Sequence, residues 1–319
     1  MLKRRGILVH PEDLTRGWID RMAAAGLDTL GLHPVGGRQA HISLQRATDA
    51  HASPDSCALR EHAAEKGIRV EYEAHAMGWL MPRELFNEHP EWFRADEKGN
   101  RAADFNMCAS HPEALEYLAE RTALLARLTE TGSDKYYLWT DDVSGFSCHC
   151  PMCRSLSPSD QQLALVNAML KGLRRYKKDA KLCYLAYHDA LAVPEKVEPE
   201  EGVFLEFAPI GRDHHRPIND PDCDKNRDEI RDLKKLMDFF GKKDSRVLEY
   251  WMDNSKFSNW TKPPKRFTLD AGVMERDAEF YASMGFEEMT SFGCYLGPDY
   301  EELFGEASLS EYGRILSKV

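Results

Sequence analysis

Eight short apolar segments, most of them followed by a helical pattern, constrain the fold of this 319-residue chain more than any other feature. Strands that alternate with helices predict a parallel sheet, because each crossover helix returns the chain to the same edge. Eight such units predict an α/β fold of the (β/α)8 TIM-barrel type, formed as a single domain over residues 1–319. The predicted strands cover residues 6–10, 29–33, 68–73, 136–139, 182–187, 203–207, 247–251 and 287–295.

Two helices of this pattern are irregular or shortened. The crossover AVPEKVEPEEG, between the fifth and sixth predicted strands, is too short for a full helix, and the final helix over residues 310–318 is abbreviated. We therefore expect a barrel whose outer ring of helices is incomplete in these two places.

The net charge excludes some classes of partner. A formal net charge of −11 argues against a nucleic-acid or anionic-membrane surface, because both need clustered Lys and Arg. No stretch approaches the roughly 20 apolar residues of a membrane helix. The start MLKRRGILVH is not a signal peptide as written. We expect a cytoplasmic protein, or an exported one from which a leader has been removed, while the oligomeric state leaves no mark in the sequence.

Polar residues fall at or near the carboxyl ends of the predicted strands. In parallel barrels this end carries the loops that bind ligands, whereas random placement would scatter such residues over both faces. The residues concerned are His10, His33, Glu73, His75, Asp141, Asp142, His188, Asp189, Glu206, Glu249 and Tyr295. The alignment predicts an enzyme with its active site at this rim.

Three segments resemble a known family. They are HPEWFRADEKGNRAADFNMCASHPEALEYL (residues 89–118), WTDDVSGFSCHCPMC (139–153) and APIGRDHHRPINDPDCDKN (208–226). The first contains HPE, an aromatic pair, a Gly-Asn turn and a Cys-x-Ser-x-Pro-Glu segment in that order. Residues 70 to 255 thus resemble the bacterial family called domain of unknown function 4838, related to the α-glucuronidase and β-hexosaminidase barrels. The resemblance implies a glycoside hydrolase-like barrel with a carbohydrate substrate.

Cleavage of a glycosidic bond usually needs two carboxyl groups, one protonated and one ionised. Asp142, or Asp141 beside it, is the candidate general acid at the fourth strand end. Glu249 at the seventh strand is the candidate nucleophile or base, and Glu206 is a third carboxylate that could replace it. Adjacent residues of an extended chain point to opposite sides, so we expect one aspartate to face the substrate and the other to be held by hydrogen bonds. Each acid could instead cap a helix or pair with an arginine.

A second arrangement uses Asp141 and Asp142 as a pair. The resemblance to hexosaminidase relatives implies that the substrate's acetamido group attacks while one acid orients it. Those relatives carry an Asp-Glu pair, and this chain has Asp-Asp at that place.

Aromatic and histidine side chains near the strand ends are candidate substrate contacts. Sugar rings stack on apolar platforms, and histidines bind hydroxyl groups. The candidates for substrate binding are His33, His75, Trp139, His188, Trp251 and Tyr295, and Trp79 and Trp260 are further candidate platforms. Each Trp could equally be part of the barrel core.

Cys148, Cys150 and Cys153 offer three thiolates from one turn, and tetrahedral zinc takes four such ligands in a closed, structural site. The resemblance points to Cys223 as the fourth ligand, with His149 and His214 as substitutes. Reduced free thiols are the alternative. Four other cysteines are expected to be small buried hydrophobes, namely Cys57, Cys108, Cys183 and Cys294.

Two other functions compete with a hydrolase that uses two carboxyl groups. The first is a non-catalytic carbohydrate-binding barrel that keeps an aromatic mouth without an effective acid pair. The second is a zinc-thiolate glycosidase, in which a cysteine of the 148–153 group attacks the sugar.

Overall fold

The computed structural model describes residues 2–319. Its parallel strands form a closed barrel in the order of the sequence, which confirms the predicted (β/α)8 fold class. The strands are β1 (Arg4–Val9), β2 (Thr29–Leu32), β3 (Arg69–His75), β4 (Lys135–Trp139), β5 (Lys181–Ala186), β6 (Val203–Phe207), β7 (Arg246–Glu249) and β8 (Glu288–Ser291).

Helices of very different length connect the strands. They are α1 (Arg16–Ala24), α2 (Ala40–His51), α3 (Pro54–Glu65), α4 (Met77–Leu80), α5 (Pro112–Leu128), α6 (Pro158–Tyr176), α7 (Asp224–Ile230), α8 (Leu233–Phe240), α9 (Asn254–Phe257), α10 (Ala271–Met284), α11 (Pro298–Phe304) and α12 (Ser310–Leu316). Among the helices of residues 2–319, none has both the length and the apolar character of a bilayer-spanning helix.

The crossover between β5 and β6 has no α-helix in the described chain, as its length predicts, and carries only a short 3-10 turn over His188–Ala190. Its backbone is held by Asp160 of α6, whose Oδ1 accepts the backbone N–H groups of Glu195, Lys196 and Val197. One buried carboxylate thus satisfies donors that a helix would otherwise satisfy internally.

The chain divides into two compact units. Unit 1 comprises residues 1–33, 53–71 and 205–319, and unit 2 comprises residues 34–52 and 72–204. The assignment of residues 1–319 to a single domain stays a prediction.

A buried ionic cluster occupies the core of unit 1. The guanidinium of Arg246 lies 2.5 Å from Glu71, 3.4 Å from Glu288 and 3.8 Å from Glu206, and all four side chains are buried. Because these residues come from β3, β6, β7 and β8, they meet at the interior of the barrel. Burying carboxylates is costly unless a cation compensates them, and Arg246 supplies a cation to this cluster.

The core of unit 2 includes the close pair of helices α5 and α6. A Cβ at Gly172 would lie 2.0 Å from the carbonyl oxygen of Ala119, so only glycine allows the helices to approach this closely. In the same unit the parallel register of β3 and β4 places His75 level with Trp139. Both residues therefore reach the carboxyl end of the sheet, where the chain after β4 begins.

Candidate active site

Asp142 lies at the centre of a polar cluster in unit 2, three residues beyond the end of β4. The phenol of Tyr187 donates a hydrogen bond to its Oδ1 (2.8 Å). The Nε2 atoms of His75 and His188 lie 3.9 and 4.0 Å from the same oxygen. The side chain of Asp142 is 31% exposed, so a solvent-borne ligand can reach it. These four residues are called the Asp142 cluster below.

The orientation of His75 follows from its second ring nitrogen. Its Nδ1 lies 2.7 Å from the carbonyl oxygen of Thr140, and its ring meets the indole of Trp139 edge to face with centroids 5.0 Å apart. Because a carbonyl only accepts, Nδ1 donates the hydrogen bond, and Nε2 is the nitrogen that faces Asp142. When the ring is neutral, this nitrogen is a hydrogen-bond acceptor.

His188 occupies a left-handed backbone conformation, with φ of 48°, at the start of the short turn after β5. Its ring lies against that of Tyr187, with centroids 3.9 Å apart. Burial lowers the pKa of His188 below its ordinary value, although the charge of Asp142 opposes this shift. A histidine with a lowered pKa stays neutral at pH 7 and does not form a fixed ion pair with Asp142.

Asp141 has a different environment from its neighbour. Its Oδ2 accepts hydrogen bonds from Arg83 Nη2 (2.5 Å) and from the backbone N–H of Asn106 (2.6 Å). Its own N–H donates to Asn106 Oδ1 (3.0 Å), and only 10% of its side chain is exposed. The reciprocal contact between Asp141 and Asn106, called the Asp141–Asn106 lock below, fixes the backbone immediately before Asp142.

Gly36 lines the same cluster from the loop after β2. A Cβ at this position would lie 3.2 Å from Cδ2 of His75 and 3.4 Å from Oδ2 of Asp142. Glycine therefore leaves space beside the carboxylate that any side chain would partly fill.

The tryptophans predicted as sugar platforms are mostly buried. Trp139 presents its ring to His75, and Trp79 lies under the guanidinium of Arg121 while its Nε1 donates to Gln45. Trp251, in unit 1, is also buried. Trp260, also in unit 1, is 62% exposed, and the ammonium of Lys256 lies 5.7 Å from the centre of its ring.

Glu249, the predicted nucleophile or base, is buried in unit 1. Its side chain has no exposed area, and its Oε1 lies 2.5 Å from Arg212 Nη1 and accepts a hydrogen bond from Tyr281 (2.6 Å). Burial raises its pKa above the ordinary value. The indole of Trp251 donates to Asp277, which also pairs with Arg212, so Trp251 belongs to the same buried network. A nucleophile must touch the substrate, and this position does not support that role for Glu249.

Glu206, the alternative carboxylate, lies in the buried cluster around Arg246 and has no exposed side-chain area. Side chains alternate in direction along β6, and that of Glu206 points to the barrel interior, near Arg246. The structure therefore does not support Glu206 as a replacement for Glu249 either.

His33 and Tyr295, in unit 1, lie around His10. The Nδ1 of His10 is 2.8 Å from the carbonyl oxygen of His33, and the two rings stack with centroids 5.8 Å apart. The ring of Tyr295 lies 6.1 Å from that of His10, and Phe292 meets His33 edge to face. These residues form an aromatic cluster at the ends of β1, β2 and β8, and their part in substrate binding stays a prediction.

Four buried cysteines of unit 2 come together. They are Cys108, Cys148, Cys150 and Cys153, whose sulfur atoms all lie within 4.8 Å of one another and form no disulfide. The fourth member is Cys108, so the predictions that Cys223 completes the site and that Cys108 is a simple buried hydrophobe are corrected. Cys223 instead precedes α7 in unit 1. The group could bind a metal ion.

Several residues of the site were missed by sequence reasoning. Arg83, Asn106 and Tyr187 contact the two aspartates from positions 35 to 58 residues away along the chain. No local spacing marks them. Cys108 did carry a signal, because it belongs to the Cys-x-Ser-x-Pro-Glu segment on which the family resemblance rests.

Comparison with known structures identifies the fold. The chain is 13% identical to a cold-adapted β-galactosidase from a Rahnella species (TM-score 0.56), with 99% of this chain and 56% of that chain covered. It is 9% identical to a glycoside hydrolase family 5 enzyme from Prevotella bryantii in complex with a xyloglucan oligosaccharide (TM-score 0.53; 96% and 86% covered). It is 11% identical to an O-GlcNAc hydrolase from Thermobaculum terrenum (TM-score 0.53; 99% and 59% covered). The chain thus spans less than two thirds of the β-galactosidase and O-GlcNAc hydrolase chains.

These likenesses establish a barrel of the kind found in glycoside hydrolases, and no curated protein sequence matches the chain. The model of one protein family matches residues 42–301, which is most of the sequence. The chain therefore belongs to the family described as domain of unknown function, DUF4838.

Proposed function

We propose that this protein is a glycoside hydrolase in which Asp142 donates a proton to the departing oxygen. The observation that carries the proposal is the Asp142 cluster: a partly exposed carboxyl group at a strand end, with Tyr187 donating to one oxygen and two imidazoles near it. A general acid must be reachable and must hold a proton at working pH. The exposure of Asp142 meets the first of these needs.

The burial of Glu249 and Glu206 bears on the second half of the reaction. A mechanism that uses two protein carboxylates needs a second exposed acid, and neither of these side chains has exposed area. In a substrate-assisted mechanism the acetamido group of the substrate is the nucleophile, so one proton donor and one orienting acid suffice. Asp142 would be the donor and Asp141 the orienting acid. The fold likeness to an O-GlcNAc hydrolase is consistent with this substrate class.

The proposal is tested with a panel of nitrophenyl glycosides that includes 2-acetamido sugars. We expect wild-type protein to release nitrophenol from at least one of them. General acid catalysis contributes about 100-fold or more when the leaving group needs a proton, so Asp142→Asn should lower kcat/KM on an alkyl glycoside of that sugar by about that factor. Glu120→Gln, which changes an exposed acid on α5, is the matched control and should not alter the rate. Full activity of Asp142→Asn on the alkyl glycoside would refute the role of Asp142.

Two inhibitors separate the mechanisms. A thiazoline analogue of the bicyclic intermediate should inhibit a substrate-assisted enzyme, whereas a 2-deoxy-2-fluoro glycoside should label a protein nucleophile covalently. We expect thiazoline inhibition without covalent labelling. Labelling of a carboxylate peptide, identified by mass spectrometry, would restore a mechanism with two protein carboxylates.

The same burial of Glu249 and Glu206 favours one other function, a carbohydrate-binding barrel without catalysis. Such a protein would bind glycans through the exposed ring of Trp260 and the aromatic cluster around His10. Calorimetry on the same glycan panel distinguishes the two functions. Binding without any product release would support the binding function and overturn the hydrolase.

We also propose that the four-cysteine cluster holds zinc in a structural role. The four sulfurs are buried and would fill a tetrahedral coordination sphere, so the site has no open position for water or substrate. This argues against a cysteine of the 148–153 group as a nucleophile. Alkylation that removes zinc should therefore act through the fold and not by blocking a reacting thiolate.

A further inference from the structure

The distances from the sulfur of Cys108 to those of Cys150 and Cys153 match the geometry of a single metal ion. Cys108 Sγ lies 3.7 Å from both Cys150 Sγ and Cys153 Sγ. Zinc–sulfur bonds of about 2.3 Å in a tetrahedron place sulfur atoms about 3.8 Å apart. A disulfide would need a sulfur–sulfur distance of about 2 Å. The observed distances therefore fit shared coordination and not pairwise oxidation.

The surroundings of the cluster also suit thiolates. The backbone N–H of Ala95 donates to Cys148 Sγ (3.4 Å), and Ser110 Oγ lies 3.2 Å from Cys153 Sγ. Gln161 of α6 holds the turn in shape, because its side chain accepts from the N–H of Cys148 and donates to that residue's carbonyl oxygen. Outer hydrogen bonds of this kind orient metal ligands and stabilise their charge.

Cys108 joins this turn to a separate stretch of chain. The segment of residues 92–110 makes several contacts with the loop after β4 (residues 140–157), and two of them bear on Asp142. The first is the sulfur cluster, together with a hydrogen bond from the N–H of His149 to the carbonyl oxygen of Ala95 (2.8 Å). The second is the Asp141–Asn106 lock, two residues before Cys108.

Asn106 links these two contacts. It has a positive φ of 50°, which is uncommon for a residue other than glycine and persists where the surroundings hold it. Its carbonyl oxygen accepts from Arg83 Nη1 (2.7 Å), while Nη2 of the same guanidinium binds Asp141. A ligand bond at Cys108 therefore limits how far Asn106, and with it Asp141, can move.

We infer that zinc bound by Cys108, Cys148, Cys150 and Cys153 positions Asp142, through the Asp141–Asn106 lock. The metal centre is closed and takes no part in the chemistry. It fixes the segment of residues 92–110 against the loop after β4, so that Asp142 is held toward His75 and Tyr187. The consequence for catalysis rests on the proposed function, whereas the consequence for loop order does not.

Metal content is the first test. Full-length protein from zinc-supplemented medium should contain one zinc ion per chain by mass spectrometry, and Cys108→Ser should lose it. Cys183→Ser changes a buried cysteine of β5 outside the cluster and should keep the zinc. Reconstitution with Co²⁺ should produce the intense visible absorption of a tetrahedral thiolate site. Absence of metal, or iron in place of zinc, would overturn the inference.

Backbone hydrogen exchange is the second test and needs no substrate. Removal of zinc with a chelator should speed exchange in residues 92–110 and 140–157, while α10 should keep its protection. Asn106→Gly suits the positive φ and removes the side-chain bonds of the lock. It should keep the zinc, speed exchange around Asp141 and lower kcat roughly tenfold with little change in KM, as expected of a positioning residue. Unchanged exchange after zinc removal would contradict the inference, even if no glycoside is hydrolysed.

Discussion

Two neighbouring residues of identical chemistry have different environments at the end of β4. Asp141 is bound by Arg83 and Asn106, and Asp142 remains accessible beside His75, His188 and Tyr187. The sequence indicates where the acids lie, because a buried strand precedes them. Which acid is held and which is open depends on partners far away along the chain. That division follows only from the folded structure.

Adding one methyl group at Gly36 tests whether the space beside Asp142 is needed for activity. Gly36→Ala places a Cβ 3.2 Å from Cδ2 of His75, which is tighter than most side-chain contacts, and 3.4 Å from Oδ2 of Asp142. We expect the crowding to lower kcat/KM roughly tenfold by displacing the carboxyl group, with little loss of stability. Kinetics on an alkyl glycoside and a urea unfolding curve would measure both effects.

The matched control for this substitution is Gly17→Ala. Gly17 lies in α1, where the nearest atom to a new Cβ is 3.6 Å away, an ordinary contact. Its activity should equal that of wild type. Equal activities for Gly36→Ala and Gly17→Ala would mean that the space beside Asp142 is not used.

At the scale of elements, α6 connects the cysteine turn to the short crossover. Ser157 and Asp160 form a reciprocal cap, in which each side chain accepts the other's backbone N–H (3.0 to 3.1 Å). Asp160 also holds the N–H groups of the crossover, and Gln161 holds the cysteine turn. One helix start therefore organises two loops of unit 2.

Loss of the Ser157 cap at the start of α6 should lower the stability of the protein. Ser157→Ala removes the acceptor for the N–H of Asp160 and should reduce the free energy of unfolding by about 1 kcal/mol. Ser155→Ala changes an exposed serine two residues earlier and should be neutral. The midpoints of urea unfolding measure both. A stable Ser157→Ala variant would show that the capping contacts contribute little.

The cysteine cluster illustrates what spacing can and cannot indicate. Cys148, Cys150 and Cys153 lie within one turn, so their common site was predictable. The fourth ligand comes from a separate segment, and Cys108 and Cys223 both lie in segments of the family resemblance. Only the folded structure shows that the segment carrying Cys108, and not the one carrying Cys223, lies against residues 148–153.

At the scale of the whole molecule, the barrel was predictable because eight strands and their helices repeat along the chain. Which side chains of each strand point into the barrel was not predictable. In β7 the side chain of Arg246 points into the barrel, and that of Glu249 reaches Tyr281 of α10. Successive side chains of a strand point to opposite faces of the sheet. An error of one residue in the predicted register of this four-residue strand therefore moves a carboxylate from one face to the other.

The pH dependence of stability should carry a contribution from His214 in unit 1. Burial, and then the nearby charges of Lys256 and Arg212, lower its pKa from the ordinary 6.5 to about 3. The unfolded chain takes up a proton as pH falls through 6.5, but the folded chain does not until about pH 3. The free energy of unfolding is therefore not reduced by this histidine above pH 6.5. Below pH 6.5 it falls progressively, by at most about 1.4 kcal/mol per pH unit.

Urea unfolding at pH 7 and pH 5 measures this effect. His214→Gln removes the titrating group and should lose less stability between these values than wild type. His215→Gln, which changes the exposed neighbour, should behave like wild type. Identical pH slopes for wild type and His214→Gln would contradict the assignment.

The central claim is that Asp142 protonates the departing oxygen, and the dependence of rate on the leaving group tests it most directly. Activated aryl glycosides leave without help from an acid, whereas sugar and alkyl leaving groups require a proton. Compared with wild type, Asp142→Asn should retain most of its activity on dinitrophenyl glycosides and lose about 100-fold or more on alkyl glycosides. A loss of the same size for every leaving group, or no loss for any, would contradict the account.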